Sequence, residues 1–341
     1  MSDQNDFTRV FYLEHQPNRP SFTTWVRHIL LLMVTLATAT VAGSLYPFGP
    51  IPIFPDADPQ TWSELAQFIL TLPARYILLI SGAVNTLLTD TGVLTHGLSF
   101  SLSLLFILLA HEMGHYVTCR IYKVDATLPF FLPTPPMIGP AGTFGAFIKI
   151  LSPFPSRKAV FDIGVAGPIA GFIALIPIAV IGIATAEPAP PHQIADYQGL
   201  IFSHPLLSRL LAAMMGIDIG MMYGNAFYYA AWVGLLVTAL NLIPSGQLDG
   251  GHAMYAVLGE RIHYWTGRIA FVVMAVLSIL GLIYFNSPSG FLIAALLGIM
   301  MRIGHPQPWD DSPLDPKRKF VAFLTLIIFV LCFLPFPIKV S

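Results

Sequence analysis

The sequence predicts an all-α polytopic membrane protein of about seven transmembrane helices, with a short membrane-dipping β segment beside an interior site. Three observations lead there. Apolar residues make up 55% of the 341 and charged residues only 10%, whereas a soluble domain carries about 25% charged residues. Mean hydropathy is +0.71. Runs approaching the roughly 20 apolar residues that a span requires recur at 25–46, 97–119, 162–185, 225–245, 267–285, 289–303 and 320–338. A net charge of -1 offers no footprint for nucleic acid, so lipid bilayer is the expected surrounding.

Residues 1–24 are polar and of mixed charge. They read as a cytoplasmic segment, because the apolar run from Trp25 is too long for a cleaved signal and becomes a first span. The stretch 64–88 is apolar but interrupted by Pro73, Arg75 and Asn85. Lys and Arg gather in cytoplasmic loops. With the N-terminus inside and 64–88 lying re-entrant or along the outer interface, only Arg75, Arg209 and Lys339 of the seventeen basic residues fall outside the cytoplasmic segments. The chain thus divides into 1–24, a first span with an outer segment over 25–96, a membrane core over 97–260, and accessory spans over 261–341.

Between the second and third expected spans, Pro129, Pro133, Pro135, Pro136 and Pro140 forbid a regular helix. The proline-free run from Gly145 to Ile150 is expected to be extended, either as a loop on the cytoplasmic surface or as a strand edge dipping toward the bundle. Cys119 and Cys332, the only cysteines, read as buried small residues and give no disulfide framework. Lys317-Arg318-Lys319 reads as a basic inner-face anchor before the last span.

The chemistry concentrates at His111-Glu112-Met113-Gly114-His115. On a helix, positions i and i+4 share a face, so two imidazoles can ligate one metal ion beside a carboxylate able to act on water. The approach from Gly97 to Ala110 carries no charge and rises about 21 Å, against about 30 Å of hydrocarbon, which puts the motif nearer the cytoplasmic side. Burying His, Glu and His there calls for a partner such as a divalent cation; the plainer alternative is that the triplet ends the span at the headgroups. Asp249, in Asn241-Leu-Ile-Pro-Ser-Gly-Gln-Leu-Asp249-Gly-Gly251, is the leading third ligand. Pro244 and Gly246 break its helix at similar depth, though an Asp-Gly surface turn is the bland reading. His252 and Cys119 are competing donors, each more simply an ordinary neighbour.

HEMGH on an apolar helix followed by NLIPSGQLDGG resembles the site-2 protease family of intramembrane zinc metalloproteases, in a form without a PDZ domain or CBS pair. The match falls at Asn241, Pro244, Leu248, Asp249 and Gly250, with further likeness in Gly142-Thr-Phe-Gly145-Ala-Phe-Ile148 and Asp162-Ile-Gly-Val-Ala-Gly-Pro168. The resemblance implies a catalytic core over 97–260 holding one Zn2+ on His111, His115 and Asp249, with Glu112 as general base. Asn241 would position the substrate backbone, and Gly145, Ala146, Phe147 and Ile148 would line a strand that pairs with an unwound transmembrane substrate. A multi-pass protein of a bacterial inner membrane is expected. The alternative function is a non-catalytic membrane protein with a structural or transport metal site, which would have no need of Glu112.

Overall fold

The computed structural model describes residues 19–45, 60–137, 141–189 and 200–340. Its first three helices are α1 (Phe22–Ser44), α2 (Trp62–Thr89) and α3 (Thr91–Ile121). Ser21 opens α1 by accepting from the Thr24 N–H, and Asp90 both ends α2 and caps α3 through the Gly92 and Val93 N–H groups, so the α2–α3 turn is a single residue. α1 and α3 meet through small residues. A Cβ on Gly97 would lie 2.7 Å from the Thr40 carbonyl, and the Thr40 and Ser101 hydroxyls hydrogen-bond at 2.8 Å between the helices. In lipid such close approach and polar pairing replace hydrophobic drive.

Next come an antiparallel hairpin, β1 (Phe130–Pro133) and β2 (Thr143–Phe147), and the 28-residue α4 (Arg157–Ala184). The hairpin runs along α1. The His28 Nδ1–H donates to the Pro129 carbonyl (2.9 Å), and the Thr38 hydroxyl donates to that of Gly142 (2.7 Å), contacts about 15 Å apart along the helix. The Tyr76 hydroxyl of α2 donates to the Pro136 carbonyl at 2.9 Å.

At the end of the molecule remote from His111 lie β3 (Glu187–Pro188), β4 (Leu200–Phe202), α5 (Leu206–Met214) and β5 (Met222–Tyr223). α6 (Ala226–Asn241) returns through the core to α7 (Asp249–Leu258), and α8 (Glu260–Phe285), α9 (Ser289–Met300), α10 (Pro316–Cys332) and β6 (Ile338–Val340) complete the described chain. β6 pairs antiparallel with β4. α3, α4 and α6 bury the largest share of their surfaces, with Phe100, Leu104, Phe161, Leu175 and Leu235 wholly enclosed.

Among the described residues, α1, α2, α3, α4 and α8 are long and apolar enough to cross a membrane. Four of the seven expected spans correspond to α1, α3, α4 and α8. The other three are shorter helices: α6 with 16 residues, α9 with 12 and α10 with 17. The 64–88 stretch is not interrupted: α2 runs unbroken for 28 residues with Pro73 inside it. Proline removes one backbone donor, but unravelling in apolar surroundings would strand many more.

The α9–α10 link straps the end of the bundle near α7. The Trp309 and Asp310 N–H groups donate to Phe154 and Pro155 carbonyls (both 3.2 Å), and the Arg157 N–H returns one to Asp310 (2.7 Å). Below it Arg318 grips Asp162 with two nitrogens, Nε at 2.9 Å and Nη2 at 2.6 Å, and donates to the Tyr122 hydroxyl at 3.0 Å. Three helices, α3, α4 and α10, are thereby tied at one point.

Candidate metal centre

α3 sets His111 and His115 one turn apart, both buried, with Glu112 buried beside them. α4 offers these rings a face of small residues. A Cβ on Gly167 would sit 2.1 Å from His115 Nε2, and one on Gly171 3.1 Å from His111 Cβ. His115 Nδ1 lies 2.7 Å from the Ile163 carbonyl, so Nδ1 carries the proton and the Nε2 lone pair is left free, the tautomer a metal ligand needs.

The third donor arrives from the break after α6. Gly246 takes φ +55°, a left-handed turn that suits glycine. A Cβ on Gly250 would meet the Leu242 carbonyl at 2.1 Å, so the backbone folds flat on itself and returns Asp249 to the depth of the histidines. His111 Nε2 and His115 Nε2 are 3.2 Å apart, and Asp249 Oδ2 lies 3.2 and 3.3 Å from them. A tetrahedral site with bonds of about 2.0–2.1 Å has edges of roughly 3.3–3.4 Å. The near-equilateral triangle therefore fits three ligands of one tetrahedral cation such as zinc, with one corner open. It is the only such group among the described residues.

Asn241, the last residue of α6, places Nδ2 3.3 Å from His111 Nε2, at the rim of the triangle. His252, a competitor for the metal in the sequence, turns elsewhere: its Nδ1 meets His305 Nε2 at 2.7 Å. Cys119 is buried in a separate apolar cluster. Beyond β2 the chain stays extended, with Thr127 N–H donating to Lys149 (2.9 Å) and Leu151 N–H to Asp125 (2.7 Å). Main-chain groups alternate sides along a strand, so those of Ile148 face the other way, toward the Glu112 side of the site. Phe144 and Phe147 are exposed while Ala146 is buried. Sequence reasoning missed Ile163 and Gly167; both lie in the Asp162–Pro168 segment, the only signal that pointed toward them.

The family model described as peptidase family M50 matches residues 99–283, more than half of the chain. The probable zinc metalloprotease EGY1 of Arabidopsis thaliana, a chloroplastic protein, is 28% identical over 248 residues, covering 70% of this chain and 43% of its own. The probable zinc metalloprotease EGY2 of Oryza sativa subsp. indica, also chloroplastic, is 25% identical over 291 residues, 81% of this chain and 50% of its own. The chain thus spans about half the length, or less, of these curated relatives. No solved structure matches it.

Proposed function

The chain belongs to peptidase family M50, and from that premise we propose that it is an intramembrane zinc metalloendopeptidase. It hydrolyses a peptide bond in or near the transmembrane segment of a membrane-protein substrate. The observation that carries this reading is the triangle of His111, His115 and Asp249 donors with edges of 3.2–3.3 Å, set beside a buried carboxylate on an apolar helix. The protein is integral to a membrane. The bacterial inner membrane expected from the sequence finds no support in relatives whose names place them in chloroplasts.

His111, His115 and Asp249 would hold one Zn2+, which when bound supplies a Lewis acid that acidifies water and polarises the scissile carbonyl. Glu112 takes the proton of the attacking water and delivers it to the leaving amide nitrogen as the C–N bond breaks. Ile163 keeps His115 in its ligating tautomer. Asn241 orients the substrate carbonyl from the rim. The outward edge of Ala146 and Ile148, flanked by Gly145 and Phe147, adds a substrate strand by main-chain pairing. The span must unwind first, because a helical peptide bond is shielded by its own turn. Residues 97–260 form the catalytic unit in this reading, and 261–341 its support.

The test is cleavage of single-span peptides by purified protein reconstituted in lipid, against Glu112→Gln. Loss of the general base should lower turnover by about 10²–10⁴-fold with metal content unchanged. Equal turnover by the two proteins would remove Glu112 from the mechanism.

A further inference from the structure

At the end of the molecule away from the metal centre, a cavity of about 300 Å³ opens between the loop before α5 and the segment that follows α10. Its lining includes Arg209 and Lys339 and, among the described residues, no acidic one. These are two of the three basic residues that the charge bias, drawn with 64–88 not crossing, leaves on the outer side. Two cationic side chains lining one cavity favour an anion in it. The walls are built rather than incidental. The Trp232 indole N–H donates to the Ser203 carbonyl (2.8 Å), and the Ser203 N–H donates to Pro337 (3.0 Å). Asn286 Nδ2 fixes the Val340 carbonyl at 2.7 Å. Among the described residues Arg209 spends only Nε, on the His204 carbonyl at 3.1 Å, while Lys339 Nζ rests 5.1 Å above the Phe285 ring.

One buried polar atom also lacks a counterpart: the hydroxyl of Ser203, a residue of the cavity wall, has no hydrogen-bond partner among the described residues. His204 adds no charge, since burial pushes it down to about 4. The remaining wall is apolar and aromatic, with Phe333, Leu334 and Phe336.

We propose that this cavity binds a phosphate group, with Arg209 and Lys339 neutralising it, the Ser203 hydroxyl donating to it, and the apolar wall receiving the acyl-linked side of an anionic phospholipid. Guanidinium matches phosphate oxygens in a bidentate fork.

The experiment uses full-length protein in nanodiscs of phosphatidylcholine with or without phosphatidylglycerol, with lipid per chain counted by native mass spectrometry. A parallel arm titrates inorganic phosphate into detergent-solubilised protein by calorimetry. Wild type should retain phosphatidylglycerol, Arg209→Gln/Lys339→Gln should weaken retention by about tenfold or more, and Arg209→Lys/Lys339→Arg should preserve it. Binding of inorganic phosphate without lipid retention identifies a free anion as the source. Equal metal content shows the variants to be folded, and wild-type binding should itself weaken as salt rises. Binding of neither probe, salt-insensitive binding, or equal retention by wild type and the neutral double variant would overturn the proposal.

Discussion

Gly167 shows how much a missing side chain can decide. Its absent Cβ would lie 2.1 Å from His115 Nε2, the atom that would face a bound metal. Alanine there would favour the helix intrinsically by about 1 kcal/mol, yet Gly167→Ala is expected to cost metal. The ring must leave either its ligating position or the Ile163 carbonyl, and loss of such outer support costs about 10–100-fold in affinity. Metal titration of purified wild type and variant checks this, and unchanged affinity would mean that α4 yields instead. The residues most legible in the sequence were those whose chemistry is in the side chain: His111, Glu112, His115 and Asp249. Ile163 acts through a carbonyl that every residue possesses, and Gly167 acts through absence. Neither advertises its role by residue type.

Elements were legible where hydropathy alone sets them. α1, α3, α4 and α8 fall close to their expected positions because each carries a long uncharged run. α6 ends at Asn241 since Pro244 and the turn at Gly246 claim the following residues for the metal loop. The hairpin partner β1 was not expected as a strand, as Pro129 and Pro133 frame it, but an irregular register between Phe131 and Pro133 accommodates the latter. α10 is fixed to the bundle by a clamp that no local pattern announces, since Arg318 meets Asp162 from 156 residues away. Arg318→Ala leaves Asp162 and Tyr122 without that donor set. A loss of about 1–3 kcal/mol is expected for a charged hydrogen-bonded pair, read as a lowered Tm in detergent and partly restored by Arg318→Lys.

Over the whole molecule, acid should act through two histidines outside the long helices. Burial pushes His204 down to about 4, and burial beside His252 pushes His305 down to about 3. An unfolded chain takes up protons as pH falls through about 6.5, while the folded chain resists. Their contribution is therefore full above that value and drains away toward pH 4 and below. Melting temperature measured from pH 7.5 to pH 5, in steps, should fall, and His305→Gln should flatten part of the slope. A wild-type Tm that rises on acidification would contradict this reading.

The bonds from His28 and Thr38 to the hairpin also make a mechanical statement. They join α1 to both ends of the β ribbon, so a displacement of α1 would carry the ribbon with it. A tilt of that first helix re-aims Ala146 and Ile148 relative to Glu112. Under the proposed function, opening the bundle on that side and setting the alignment of a guest strand would be a single motion.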